Sequence, residues 1–106
     1  MGIKDKLKQM AELKELKEEA SKLQEMMQEI ESIDDAGNGA VEATVNGEGK
    51  VVRIVLRDNF FAEKDREKQQ KWITIAVNGA IEKSKKRVEK EMKKIEKFDK
   101  LGKFFK

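Results

Sequence analysis

The chain has 106 residues, of which 42% are charged and 38% are hydrophobic. A chain of this length predicts one small domain with a modest core, which favours an oligomer that buries further apolar surface. It contains no Cys and no His, which excludes disulfides, Cys/His zinc sites and His-dependent nucleophiles. We therefore predict a protein that is not an enzyme, with no catalytic residue, metal, cofactor or small-molecule substrate.

The net charge of +3 is unevenly distributed along the chain. Residues 1–39 carry six Lys against ten acidic residues, residues 40–82 carry seven of each sign, and residues 83–106 carry eleven basic against four acidic residues. The C-terminal quarter is therefore strongly basic, which indicates a polyanionic partner there. No run is apolar enough for a signal peptide or a membrane span, so we expect a cytoplasmic protein without a membrane partner.

The first predicted element is a long amphipathic helix within residues 1–36. No Gly or Pro occurs between Ile3 and Ile33, and apolar residues recur there every three or four positions. This narrow stripe, flanked by Glu and Lys, favours a coiled-coil-like partner over a broad core. The glycines of the Asp34–Gly39 segment are expected to end the helix as a left-handed C-cap.

The second predicted element is a β-hairpin with its exit turn, in residues 37–61. Asn46-Gly47 is a strong hairpin turn signal, and Gly49 allows a bulge. Alternation along the two strands places five apolar residues on one buried face, which we assign to the core or dimer contact: Val41, Val45, Val52, Ile54 and Leu56. A two-stranded hairpin is marginal in water. Further pairing is therefore expected, either with a third short strand or with a sheet from another subunit.

The third predicted element is a helix over residues 62–98. Its first half is apolar enough to pack on the sheet, through Trp72, Ile73 and Val77. Beyond Ser84 the stripe thins, which is typical of an arm that projects from the body. The tail, residues 99–106, alternates Phe and Lys and fits a surface anchor, a stacking contact or a latch on a partner subunit. The predicted fold class is α+β, with a small antiparallel sheet between two long helices.

Two glycine-rich stretches resemble fragments of phosphate loops. A P-loop needs Ser or Thr after its Lys and then a helix, whereas Lys50 is followed by Val51 and a predicted strand. Turn chemistry explains each of these glycines, so we interpret both stretches as turns.

The basic C-terminal stretch is the strongest functional candidate. Lys86, Lys90, Lys93, Lys94 and Lys97 have helical neighbour spacing and therefore share one side. If the hairpin reverses the chain, the far end of the second helix meets the basic start of the first, and both clusters lie at the tip remote from the sheet. A merely solvated Lys/Glu-rich helix is the alternative. The predicted phosphate contacts are Lys4, Lys6, Lys8, Lys86, Lys90, Lys93, Lys94 and Lys97.

The pattern Val45-Asn46-Gly47-x-Gly49-x-Val51-x-x-Ile54-x-Leu56 resembles the YbaB/EbfC family of bacterial nucleoid-associated proteins. So does the helical pattern Trp72-Ile73-x-x-Ala76-x-Asn78-x-Ala80-Ile81-x-Lys83-Ser84. The resemblance extends over nearly the whole chain. It implies a homodimer whose sheets associate and whose helical arms project like tweezers. It also implies binding of DNA with limited sequence preference.

The leading hypothesis is therefore a dimeric, non-enzymatic protein of the nucleoid that holds double-stranded DNA by its phosphates and serves nucleoid organisation or gene regulation. The alternative is a prefoldin-like chaperone or coiled-coil scaffold. Such proteins also place a hairpin between two long helices and grip protein clients at the helix tips. Oligomer mass distinguishes the two, since a dimer favours the first hypothesis and a hexamer the second.

Overall fold

The computed structural model describes the backbone of residues 2–104 and the side chains of residues 2–95. The elements, in chain order, are α1 (Ile3–Glu29), β1 (Glu31–Ala36), β2 (Val41–Asn46), β3 (Val51–Leu56), α2 (Asp58–Ala62) and α3 (Arg66–Phe104). The molecule measures 72 × 28 × 17 Å and has a Cα radius of gyration of 21.0 Å. A compact chain of this length would have a radius of about 13 Å. The two long helices therefore extend well beyond the core.

The sheet has three antiparallel strands in the order β1-β2-β3, which confirms the predicted α+β class. The third strand, expected either within the chain or from another subunit, is β1. The predicted extension of the first helix to residue 36 is wrong, because α1 ends at Glu29 and Glu31–Ala36 pairs with β2. Ile33, at a helical interval from Ile30, is 48% exposed on the strand. The three-to-four spacing therefore continues by coincidence past the end of the helix.

The Gly37–Gly39 segment is a hairpin turn between β1 and β2 rather than a helix cap. Gly37, Asn38 and Gly39 all have positive φ, at 66°, 55° and 80°. The turn is closed by the Ala40 amide, which donates to the Gly37 carbonyl at 3.2 Å. Only Gly and Asn adopt this left-handed conformation readily, which explains the composition of the segment.

The second hairpin turn joins β2 to β3 and contains a bulge, as the sequence predicts. The Gly49 amide donates to the Asn46 carbonyl, and Gly49 has φ of 81°. The register between β2 and β3 shifts between Thr44 and Val45, so that Val51 lies opposite Val45. The Asn46 side chain accepts hydrogen bonds from the Glu48 and Lys50 amides at 3.0 and 3.1 Å. Asn46 therefore stabilises the turn from its first residue rather than from its centre.

The core lies between α3 and the first two strands. Val41, Ala43 and Val45 of β2 are fully buried against Ala76 and Ala80 of α3. Small residues on the helix allow it to approach the sheet closely. Five half-buried apolar residues pack at the edge of this cluster, and they include the predicted core residues Trp72, Ile73 and Val77.

The predicted buried face does not extend onto β3 within the single chain. Val52, Ile54 and Leu56 are 47%, 42% and 37% exposed. Ile54 lies opposite Ala43 and Leu56 opposite Val41, so both point to the α3 side of the sheet. They are uncovered because α3 lies over β1 and β2. Their burial by a second copy stays a prediction.

Two polar contacts fix the helices to the second hairpin. The buried Ser84 hydroxyl donates to the Asn46 carbonyl at 2.8 Å, and the Gly47 amide donates to the Met27 carbonyl at 2.8 Å. A Cβ at Gly47 would lie 2.6 Å from the Met27 oxygen, so only Gly permits this approach. Both arms therefore leave the body at positions set by the same turn.

Candidate nucleic-acid interface

The C-terminal half of α3 has a continuous basic face. Successive residues of an α-helix are rotated by about 100°, so residues at three-, four- and seven-residue intervals share a side. Six described basic side chains fall within a sector of about 120°. These residues, called the basic face below, are Lys83, Lys86, Arg87, Lys90, Lys93 and Lys94, and all are exposed.

The acidic residues of α3 compensate little of this charge. Glu82 and Glu89 lie in the neighbouring sector, and Glu82 forms its ion pair with Lys85, at 3.9 Å. Glu91 pairs with Lys94 at 3.4 Å. In the described part of the chain, Lys86, Arg87 and Lys90 take part in no ion pair. Charge is therefore segregated around the helix, as binding to a polyanion requires.

The end of the basic face nearest the sheet is attached to β1. Arg87 Nη1 donates to the Glu31 carbonyl at 2.7 Å. Lys83 Nζ donates to the Ile33 carbonyl at 3.3 Å and to Asp34 Oδ1 at 3.1 Å. The Asp34 side chain fits because it lies over Gly79, where a Cβ would collide with its carboxylate. Lys86 and Lys90, predicted as arm-tip contacts, are therefore close to the body of the molecule.

Lys83 and Arg87 were not among the predicted contact residues. Together with Lys86 and Lys90 they line a surface cavity of about 270 Å³. Their intervals of three, four and seven residues are the same signal that identified Lys86 and Lys90. The spacing alone would have included them in the set.

The two long helices run side by side with an apolar groove between them. A cavity of about 540 Å³ is lined on one side by α1 residues between Leu16 and Met26, and on the other by Met92 and Ile95 of α3. The chain reversal expected from the hairpin is therefore present.

The basic start of α1 is exposed. Lys4, Lys6 and Lys8 lie in the first two turns of α1, at the end remote from the sheet. The side chain of Lys97 and the tail 99–106 lie outside the described side chains, so their predicted roles stay predictions.

The described residues offer no site for metal chemistry. No group of three or more Asp, Glu, His or Cys side chains among them could hold a metal ion. Among the described helices, none is both long and apolar enough to cross a bilayer. What the surface presents instead is cationic side chains on a rigid helix, which can bind phosphates by charge and hydrogen bonding.

A small α+β body that carries a basic face on a projecting helix is typical of proteins that bind the nucleic-acid backbone. The model of the YbaB/EbfC DNA-binding family matches residues 2–98, and the chain belongs to this family. The resemblance found from the strand and helix motifs is thereby confirmed.

Individual relatives agree with this assignment. The chain is 34% identical over 85 residues to a nucleoid-associated protein of Chlorobium phaeobacteroides, covering 77% of this chain and 75% of that protein. It is 33% identical over 95 residues to a nucleoid-associated protein of Moorella thermoacetica, covering 90% and 91%. A crystal structure of an uncharacterized protein from Helicobacter pylori superposes with a TM-score of 0.54 at 28% identity, covering 78% of this chain and 92% of that one.

Proposed function

We propose that the protein is a homodimer of the nucleoid that holds double-stranded DNA by its phosphate backbone, with limited sequence preference. The basic face of α3 is the observation that carries this function. It places six cations along about 17 Å of helix, and the neighbouring acids lie in other sectors. Lysine contacts to phosphates give affinity without reading base edges, which accounts for the limited preference.

The dimer contact in this proposal uses β3 because the two edges of the sheet differ. At the β1 edge, the Glu31 and Ile33 carbonyls already accept hydrogen bonds from Arg87 and Lys83. The β3 edge is the other end of the sheet, and no strand of the described chain pairs with it. An open strand edge offers its backbone groups to another copy.

An apolar surface next to that edge supports the same contact. Ile54 and Leu56 are exposed on the α3 side of the sheet, and Val77 and Ile81 of α3 are only half-buried. A contiguous exposed apolar surface of this kind is typical of an interface with another protein. A second copy related by a two-fold axis would cover the surface and present its own identical surface in return.

The salt dependence of DNA binding tests the phosphate contacts. If the two basic faces of a dimer neutralise six phosphates, affinity should fall by about 10³-fold between about 50 and about 200 mM salt. Fluorescence anisotropy with a short labelled duplex measures both values. Affinity that is indifferent to salt would overturn electrostatic binding.

A pair of variants locates the contact along the arm. Lys93→Gln with Lys94→Gln removes two cations from the basic face, and Lys14→Gln with Lys17→Gln removes two from the exposed surface of α1. We expect the first variant to weaken binding at least tenfold and to reduce the salt slope, and the second to have a clearly smaller effect. Equal effects would mean that only the net charge of the protein determines binding.

Light scattering tests the oligomeric state. It should give the mass of a dimer, whereas a hexamer would favour the chaperone alternative.

A further inference from the structure

We propose that Lys83, Lys86, Arg87 and Lys90 form a preformed site for one backbone phosphate at the sheet end of α3. Arg87 makes the directional contact in this site. The inference rests on the proposed function and deepens it. It adds a fixed contact at the base of the arm to the contacts expected further along the helix.

The geometry of Arg87 supports this role. Its Nη1 donates to the Glu31 carbonyl at 2.7 Å, which holds the guanidinium against the end of β1. This bond leaves Nε and Nη2, whose N–H groups lie on the same edge of the guanidinium. That edge matches two oxygens of a phosphate and gives a bidentate, charge-assisted contact. Because the side chain is already held by β1, less rotamer entropy is lost on binding.

The other residues of the cavity complete the charge of the site. Lys90 lies about one turn after Arg87, and Lys86, the residue before Arg87, lies one turn before Lys90. Both lysines line the same cavity as Arg87, so their ammonium groups add positive charge around an anion bound there. Lys83 contributes less positive charge to the site than the other residues, because its Nζ forms an ion pair with Asp34 Oδ1 at 3.1 Å. The cavity between these four side chains has a volume of about 270 Å³ and is open to solvent. A phosphate diester of the DNA backbone fits this chemistry.

The site also gives the arm a defined orientation on the duplex. Long lysines away from the body can follow phosphates over a range of positions, because their ammonium groups act as mobile point charges. A guanidinium that is fixed to the sheet can donate its hydrogen bonds to a phosphate in one position only. Contacts of this kind set the register of a protein on its duplex without reading sequence.

Three variants of the full-length protein test the site by anisotropy with a short labelled duplex. Lys86→Gln with Lys90→Gln changes the cavity without touching β1. Its matched control, Lys71→Gln with Lys85→Gln, removes two exposed cations from other sectors of the same helix. Arg87→Lys keeps the charge but cannot make the bidentate contact. We expect both cavity variants to weaken binding about tenfold, as the loss of a charged hydrogen bond implies, and the control to weaken it clearly less.

Two measurements separate this site from other causes. Thermal melting of Arg87→Lys shows whether the protein remains folded without the bond from Arg87 to the Glu31 carbonyl. Lys86→Gln with Lys90→Gln leaves that bond in place and therefore tests the site independently of it. If wild-type protein binds DNA and the Lys86/Lys90 variant behaves like its control, or Arg87→Lys binds like wild type, the preformed site is overturned. If wild-type protein fails to bind the duplex at low salt, the proposed function and the site both fail.

Competition with inorganic phosphate distinguishes a general anion site from a contact that belongs to the duplex. We expect phosphate to displace DNA from wild-type protein no better than chloride does at equal ionic strength, because one diester contact forms only together with its neighbours along the backbone. Selective displacement by phosphate, lost in the Lys86/Lys90 variant, would show a site for free phosphate instead and would overturn the assignment to DNA.

Discussion

At Gly37 the backbone passes directly beneath the ring of Trp72. The residue has φ of 66°, and a Cβ on it would lie 2.6 Å from ring atoms Cδ2 and Cε2. Lys68 Nζ lies over the same indole, 5.5 Å from a ring centroid. The first hairpin turn is therefore tied to the start of α3 by the only Trp of the chain.

Replacement of Gly37 by Ala should destabilise the protein through two effects. The left-handed backbone costs about 1–2 kcal/mol for any residue with a Cβ. The collision with Trp72 should add about 1–3 kcal/mol, as overpacking does elsewhere. Gly49→Ala is the matched control, since Gly49 has φ of 81° but open space around a Cβ. Urea unfolding followed by Trp emission measures both. Equal losses of stability would show that the ring moves aside freely.

Ser84→Ala should remove the hydrogen bond that joins α3 to the second hairpin. The hydroxyl is buried and donates to the Asn46 carbonyl at 2.8 Å, so its loss should cost about 1 kcal/mol of unfolding free energy. Ser21→Ala, at an exposed position of α1, should change stability little. Urea midpoints of the two variants make the comparison. A Ser84 variant as stable as the Ser21 variant would contradict the contribution of this bond.

At the scale of elements, the sequence predicts those parts whose signal is local. The turn at Asn46–Gly49 and its bulge follow from residues that stabilise positive φ and side-chain capping. A third strand was one of two expected partners for the hairpin, but its position could not be predicted, because Glu31–Ala36 contains one β-branched apolar residue and three acids. It is a strand because β2 pairs with it, and its small side chains fit beneath α3. Tertiary pairing here overrides local preference.

The candidate interface also contains residues that the sequence identifies and residues whose contacts depend on the fold. Helical spacing identifies Lys86 and Lys90 from the sequence alone. What distinguishes Arg87 and Lys83 is contact with the carbonyls of Glu31 and Ile33, more than forty-five positions earlier in the chain. Those contacts exist only once β1 has formed at the edge of the sheet. An interpretation that continued the first helix through residue 36 could therefore not anticipate them.

The proposed dimer contact on β3 gives a prediction at this scale. Ile54→Lys should place a charge in the interface and convert dimer to monomer. Ile33→Lys is its matched control, because Ile33 is 48% exposed and lies on the opposite face of the sheet. Sedimentation or light scattering at several protein concentrations measures the mass, and circular dichroism monitors the fold. If the Ile33 variant is a monomer and the Ile54 variant a dimer, the interface lies instead on the face of the sheet opposite α3.

At the scale of the whole molecule, shape follows from how little the arms contribute to the core. No residue of α1 is buried, and its apolar stripe includes Ile3 and Leu7, which are 80% and 61% exposed. Most helical stability in proteins comes from packing of an apolar face. The distal part of α1 should therefore exchange its amide hydrogens much faster than the sheet does.

Small-angle scattering tests the projecting arms. A compact protein of two such chains would have a radius of gyration of about 17 Å. If the sheets associate and the arms project, the dimer should have a radius no smaller than the 21.0 Å of one chain. A dimer near the compact value would mean that the arms fold onto each other, which would leave no space for a duplex between them.

The contact between Gly47 and Met27 has a consequence for how such a protein can vary. The Gly47 amide donates to the Met27 carbonyl at 2.8 Å, so α1 is attached to the second hairpin by a hydrogen bond between two main-chain groups. Substitutions on the surface of the arm leave that bond unchanged. In the proposed dimer, the distance between the arms of the two copies and their affinity for DNA would therefore be separate properties. Lysines could be gained or lost along the helices without a change in that distance.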